Sequence, residues 1–275
     1  MTTSINTNVG AMIALQNLNS TSMELMQTQT RISTGLKVAS AKDDGATWAI
    51  AQGQRATSTA LDAVKDSLNR GSNVIDVALS AGGSVSDLLS QMKAKALAAS
   101  DAGLDTASRA ALNDDFKSLR DQISKVVSNA DFNGANLLKS GGTDIAALAN
   151  ADGTSKLTAS AQNMSLGGSI VTVASAGTIG TVTSASSMIT TVTNSINNVN
   201  AALAHLGTQS KAFASHLTFI SSLQDTIDAG VGNLVDADLA KESAKLQALQ
   251  TKQQLGVQAL SIANQSPSMV LSLFR

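Results

Sequence analysis

Residues 189–227 read ITTVTNSINNVNAALAHLGTQSKAFASHLTFISSLQDTI, and apolar side chains recur in them at alternating steps of three and four. The series is Ile189, Val192, Ile196, Val199, Leu203, Leu206, Ser210, Phe213, Leu217, Ile220, Gln224 and Ile227, with Ser210 and Gln224 as its polar exceptions. A turn of about 3.6 residues carries such a series along one side of a helix, and the alternation of three and four is that of helices packed along a shared seam. The stretch predicts a single helix on the order of 55 to 60 Å long, at about 1.5 Å per residue. A helix with one apolar stripe must bury it, so a helical bundle or coiled coil is expected.

The spacing recurs upstream through Ile50, Gln54, Thr57, Leu61, Val64, Leu68, Gly71, Ile75, Ala78, Gly82, Val85, Leu89, Met92, Ala96 and Ala99. Small residues in that series predict close helix approach, and the Gly82-Gly83 pair predicts a bend. A break at residues 100–104 contains Gly103, after which Asp105 is placed to cap a third helix through Leu112, Phe116, Leu119, Ile123, Val126 and Ala130. Asp131-Phe132-Asn133-Gly134 then reads as a turn.

Between about 140 and 187 the texture changes to Gly, Ser, Thr, Ala and Val. Residues 169–173 and 178–183 read as strands between Gly167-Gly168 and Gly177, so a small β-rich insert is expected. No Asp, Glu, Lys or Arg occurs from Leu157 to Ser210. Both chain ends repeat the helical spacing in a weaker form. Ala11, Leu15, Leu18, Ser22, Leu25, Gln29, Ile32 and Leu36 make an N-terminal stripe. Val235, Leu239, Glu242, Leu246, Leu249, Gln253, Gly256, Leu260 and Ala263 make a C-terminal one. Residues 1–23 and 253–274 carry no charged side chain. Ends so weakly apolar cannot repay about 1 to 2 kcal/mol of ordering entropy per residue alone, and are expected to order when buried against neighbours.

Composition removes whole classes of chemistry. The 275 residues include no Cys, no Tyr, one Trp and one Pro, which excludes disulfide frameworks, thiol nucleophiles and cysteine-based metal sites. A net charge of −1 lacks the basic footprint of a nucleic-acid binder, and no run of 18 apolar residues suits membrane insertion. The first 23 residues lack the basic and apolar regions of a cleaved signal peptide, so any route out of the cell is expected to be another one. His205 and His216, the two histidines, lie eleven residues apart and about three turns along a helix, too far to share a metal ion. Asp43-Asp44 and Asp114-Asp115 are adjacent in sequence and do not face each other, so capping and solvation are expected of them. No phosphate loop, nucleophile elbow or catalytic constellation is present, and no cofactor is expected.

Several strings resemble the bacterial flagellins. They are Ser4-Ile5-Asn6-Thr7-Asn8, Arg31-Ile32-Ser33-Thr34-Gly35-Leu36 and Ala39-Ser40-Ala41-Lys42-Asp43-Asp44-Gly45-Ala46 at one end. At the other are Gln258-Ala259-Leu260-Ser261-Ile262-Ala263-Asn264-Gln265 and Val270-Leu271-Ser272-Leu273-Phe274-Arg275, with Asp131-Phe132-Asn133-Gly134-Ala135-Asn136-Leu137-Leu138 between. The resemblance covers about the first 140 and the last 85 residues.

It implies a mainly α fold: a long antiparallel helical bundle formed by both chain ends, with the small β-rich insert in the middle. Residues 1–40 plus 239–275 would supply inner-tube helices, 41–139 plus 188–238 a helical shell, and 140–187 the variable insert. Inter-subunit packing is expected of Leu15, Leu18, Leu25, Ile32, Leu36, Leu246, Leu249, Leu260, Leu271 and Leu273. The partners implied are further copies of the chain, the flagellar cap and hook-junction proteins, an export chaperone and the flagellar type III export apparatus, with secretion to the extracellular filament. Flagellins often carry O-linked sugars, for which Thr172, Ser175, Thr178, Thr181, Thr183, Ser184, Ser186 and Ser187 are candidates.

Two departures matter. Where many family members carry an Arg-Glu-Leu motif read by an innate-immune receptor, this chain has Met92-Lys93-Ala94-Lys95-Ala96-Leu97, so receptor recognition is not carried over. The family's Arg-Ile-Glu-Asp run appears as Gly232-Asn233-Leu234-Val235-Asp236, which removes a charged contact. A hook-filament junction protein, which shares such end helices, and a coiled-coil adaptor or chaperone remain as alternatives.

Overall fold

The computed structural model describes the backbone of residues 7–272 and the side chains of residues 7–265. Ser4 to Asn6 and Leu273 lie outside the residues so described, and of the last terminal string only the backbone of 270–272, with Leu271, lies within them. The elements in chain order are α1 (Val9–Thr34), α2 (Gly45–Ala99), α3 (Thr106–Asn129), β1 (Ile145–Leu148), β2 (Lys156–Ala159), α4 (Val182–Val235) and α5 (Leu239–Ser272). The chain forms two compact units. A terminal unit holds Met1–Ala56 with Thr226–Arg275, and a central unit holds Thr57–Asp225.

In the central unit α2 and α4 are antiparallel, because rising numbers on one meet falling numbers on the other. Gln224 Nε2 donates to Asp62 Oδ1 at 2.9 Å, Gly71 faces Phe213, Gly82 faces Leu203, and Ser86 Oγ donates to Asn200 Oδ1 at 3.4 Å. The small residues do what their placement in the series predicts. A Cβ on Gly71 would lie 2.5 Å from Phe213 Cε1, and one on Gly82 would lie 2.6 Å from Leu203 Cδ2. Those large side chains therefore fill notches cut for them. α2 runs without interruption through Gly82-Gly83, where Gly82 makes room for Leu203 and Gly83 faces open space.

Leu61, Val64, Leu68, Leu89, Phe116, Leu119, Ile123, Phe213 and Ile220 are buried, whereas Ile196, Leu203 and Leu217 sit half-buried at the edge of the stripe. The polar exception Gln224 is satisfied within the seam: it accepts from Lys65 Nζ at 3.0 Å and donates to Asp62. Because Leu217 touches the seam and Thr218 is exposed, Leu217→Ala is expected to lower the thermal midpoint clearly more than Thr218→Ala. Its cost falls below the roughly 2 to 5 kcal/mol of a fully buried leucine. Thermal unfolding followed by circular dichroism compares the two.

Asp105 caps α3, accepting from Ser108 N at 2.9 Å, and the Arg109 side chain holds the α2–α3 connection by donating to the carbonyls of Ala99, Asp101 and Leu104. The Asp131–Gly134 turn is present, with Gly134 N donating to Asp131 Oδ1.

The strands expected at 169–173 and 178–183 do not form. The two-stranded antiparallel sheet instead pairs Ile145 with Ala159 through Leu148 with Lys156. Residues 169–180 are irregular, and their β-branched side chains Val171, Val173 and Ile179 are buried in the unit. Their amides are taken by helix side chains rather than a neighbouring strand: Thr172 N donates to Ser195 Oγ at 3.0 Å and Ile179 N to Asn113 Oδ1 at 2.8 Å. α4 begins at Val182, before the expected start near 188. Thr181 and Ser184 exchange backbone N–H to side-chain hydroxyl bonds across its first turn, each at 3.1 Å.

Candidate assembly interface

α1 starts where Asn8 Oδ1 accepts from Ala11 N, and it stops at Gly35, whose φ of 71° suits a residue without a Cβ. α5 returns antiparallel to it. Asn8 Nδ2 donates to Ala263 O at 2.6 Å, Gln253 Nε2 to Ser22 Oγ at 3.4 Å, and Arg31 Nη1 to Glu242 Oε1 at 3.2 Å.

The α1 face that meets α5 runs through Ala11, Ala14, Leu18, Thr21, Leu25, Thr28 and Ile32, of which Thr21 and Thr28 are the most buried. The expected N-terminal stripe is thus one residue out of register in part. Leu15 is 48% exposed and points away, and Gln29 is exposed as well. Thr21 hides its hydroxyl by donating to Asn17 O at 2.8 Å, the back-bond that lets a threonine occupy an apolar face. On α5 the spacing holds. Leu246, Leu249, Gln253, Gly256, Leu260 and Ala263 are buried or half-buried between exposed neighbours, while Leu239 is exposed.

Leu18, Leu25, Ile32, Leu246, Leu249 and Leu260 therefore serve the pairing of the two ends within the chain. Leu36 is half-buried in a cluster with Val38, Ala51, Trp48, Val231 and Val235. There the two connections are stitched together, with Lys37 N donating to Val235 O at 2.7 Å and Ala237 N to Gly35 O at 2.9 Å.

Beyond Leu15, the outward faces carry Met12, Ile13, Met23 and Met26 on α1 and Leu255 and Ile262 on α5, all more than half exposed, while the exposed Val257 borders the inward stripe of α5. Sequence spacing had singled out none of these. The signal was available as a second apolar stripe, since an isolated helix pair in water has no use for two. Apolar surface of this extent marks a binding face.

The acidic pair at the connection is structural. Asp44 caps α2, accepting from Ala46 N, Thr47 N and the Thr47 hydroxyl, while Asp43 holds the preceding loop through Ala39 N, Ser40 N and Ser40 Oγ. Bonds from the Ser40 amide and hydroxyl hold the Asp43 carboxyl below its ordinary value of 3.8; the Thr47 hydroxyl does the same for Asp44, and the Ser108 hydroxyl for Asp105. A depressed folded value stabilises above the unfolded one and is lost as pH falls through the folded one. Asp44→Ala is thus expected to lower the thermal midpoint at pH 7, and the gap to the parent chain is expected to close as pH falls below 3.8. Midpoints measured across pH 2 to 7 test the sign.

Two comparisons decide what these end helices belong to. Residues 5–143 match the bacterial flagellin N-terminal helical region, and residues 189–274 match the bacterial flagellin C-terminal helical region. The chain belongs to the bacterial flagellin family. It is 60% identical over 272 residues to flagellin FljM of Caulobacter vibrioides, covering 99% of this chain and 98% of that protein. It is 39% identical over 285 residues to the flagellin of Brucella melitensis, covering 99% of each. Bacillus cereus flagellin shares the fold, with a TM-score of 0.50 and 22% identity over 56% of this chain and 88% of that one. Flagellins are structural proteins of the flagellar filament, which they form by self-polymerisation, and this flagellin is such a subunit of the motility apparatus rather than an enzyme.

The segment between the two matches is held down on the flagellin's own helices. His216 Nε2 donates to Ala149 O at 2.8 Å, Leu148 N donates to Ser67 Oγ at 3.1 Å, and Arg120 Nη1 donates to Gly177 O at 3.2 Å. Gln162 Nε2 reaches His205 Nδ1 at 3.4 Å. Each histidine thus meets the insert. Among the described residues no group of His, Asp and Glu is arranged to hold a metal ion, and no helix is long and apolar enough to cross a membrane.

Proposed function

We propose that this flagellin polymerises through the outward faces of α1 and α5, which become the inner layer of the extracellular filament (residues 1–40 plus 239–275). Residues 41–139 plus 188–238 form the surrounding shell, and 140–187 the insert upon it. The carrying observation is the doubled apolar character of the end helices: one face of each is used within the chain, and the other is left to water. A chain whose complementary faces differ joins head to tail and grows as an open helix, the symmetry of a filament. Delivery of the chain falls to the flagellar type III apparatus with an export chaperone, and placement to the cap and hook-junction proteins.

Ile13→Glu and Leu255→Glu, both at exposed positions, are expected to leave the monomer's helicity unchanged and to abolish filaments. Electron microscopy of the concentrated protein reads the result. Micrometre filaments from either variant would remove these faces from the interface, and small rings from the parent chain would favour a junction protein.

The uncharged part of the insert, from residue 157 on, is proposed to carry O-linked sugars. Ser175, Thr178, Thr183, Ser186 and Ser187 are exposed, whereas the hydroxyls of Thr172, Thr181 and Ser184 are already engaged in hydrogen bonds. Charged sugars on the first group would hydrate a surface that has no charge of its own from 157 to 210. Intact-mass spectrometry of sheared native filaments is expected to exceed the sequence mass of 27.9 kDa, and a mass equal to it, less Met1, rules the modification out.

A further inference from the structure

Met12, Met23 and Met26 are 62%, 62% and 59% exposed, whereas Met92 and Met164 in the central unit are fully buried. At about 100° per residue the three exposed methionines fall within an arc of about 60°, and the arc lies on the side of α1 roughly opposite the Leu18, Thr21, Leu25 and Thr28 face that meets α5. Met12 and Met23 also line an open depression of about 870 Å³ together with Val9, Ile13 and Leu15. Three thioethers are thus presented to water in a row, on a chain with no cysteine to intercept an oxidant.

We propose that Met12, Met23 and Met26 form an oxidation site that gates assembly, modified by hydroperoxides in the free chain and shielded in the polymer. The sulfur lone pair attacks one peroxide oxygen. An S–O bond forms as the O–O bond breaks, the sulfur is oxidised by two electrons, and the second oxygen takes the proton of the transferred one and leaves, as water from hydrogen peroxide or as the alcohol from an organic hydroperoxide. The product sulfoxide is polar and chiral, and replaces a pliable apolar side chain with one that holds water at the contact. The inference rests on the reading that the outward α1 face is buried in the filament.

The test treats purified full-length monomer, and filaments assembled beforehand, with hydrogen peroxide. Peptide mass mapping is expected to find one added oxygen on each of Met12, Met23 and Met26 in the monomer, none on Met92 or Met164, and none on the three in filaments. The treated monomer is expected to keep its circular dichroism and lose polymerisation, and reduction by methionine sulfoxide reductases is expected to restore it. The triple leucine variant Met12→Leu, Met23→Leu, Met26→Leu, a nearly volume-conserving exchange, should assemble before and after peroxide. The triple glutamine variant Met12→Gln, Met23→Gln, Met26→Gln should fail to assemble without it. Normal assembly of the fully oxidised chain, or of the glutamine variant, overturns the proposal. Oxidation of the three in filaments at the monomer's rate instead overturns the interface reading beneath it.

Discussion

Deleting residues 1–36, or residues 239–275, is expected to abolish filament formation completely while the central unit keeps its helices. α1 buries its inward face against α5, and each is the other's partner along its length through the contacts from Asn8–Ala263 to Arg31–Glu242. Without one of them the survivor keeps an interrupted apolar stripe and gains nothing to offset its ordering entropy, so it loses its helix and its outward face together. The core of the central unit, with Leu61, Leu68, Phe116, Ile123 and Phe213 fully buried, is built from residues of 57–225. Circular dichroism should show a loss of helix larger than the deleted segment alone, and sedimentation should show monomer at concentrations where the parent chain is polymeric. Filaments from either truncation would mean that assembly is carried by the central unit.

A second large effect is expected at the notch where Phe213 meets Gly71. Phe213→Ala removes a ring that is 1% exposed and should cost about 3 to 5 kcal/mol. Gly71→Ala places a methyl 2.5 Å from Phe213 Cε1 on a helix backbone that cannot yield cheaply, and should cost about 1 to 3 kcal/mol, offset in part by the better helix propensity of alanine. The two changes compensate, because the methyl occupies space the ring has vacated. The double variant should therefore be more stable than the sum of the single losses, by an interaction of about 0.5 to 3 kcal/mol. Denaturant titrations of the four chains close the cycle. Additive losses would show that α2 and α4 do not meet at this register.

How much of this could be read in advance depended on whether a segment's partner was periodic. The α4 series, and the α2 series from Leu61 onward, were legible because two long helices bury each other along mostly apolar or small letters; even Gly71 and Gly82 carried their meaning. Ahead of Leu61 the α2 series was misread, since Ile50 and Gln54 are exposed while Ala51 and Ser58 are the buried positions. The α1 register was legible only in part. Thr21 and Thr28 are polar letters on a buried face, and Leu15 is an apolar letter on an exposed one, a pattern that reads correctly only if the helix has two partners. The strands were misplaced for a different reason. Residues 169–173 and 178–183 have the β-branched composition of strands, but composition does not supply a pairing edge, and helix hydroxyl and amide side chains took their backbone groups. The strands that form, Ile145–Leu148 and Lys156–Ala159, are poor in β-branched residues and owe their pairing to the tight turn at 150–153, where Gly153 N donates to Asn150 O. The Asp152-Gly153 dipeptide was the available signal.

The distances in sequence between contacting residues also set an order in time. Lys95 and Asp115, which join α2 to α3, are 20 residues apart; Lys65 and Gln224, which join α2 to α4, are 159 apart; Asn8 and Ala263 are 255 apart. Closing the longer loops is thermodynamically mild, at about 0.6 kcal/mol per doubling, but no loop closes before both its ends exist. Whichever end of the chain emerges first has no partner for α1 or α5 until almost the last residue has followed. A truncated or still-emerging chain therefore has no paired end helices to offer a growing filament. On the assembly proposed above, the fold itself checks completeness of the polypeptide, because the two ends proposed to join subunits are the two that pair with each other.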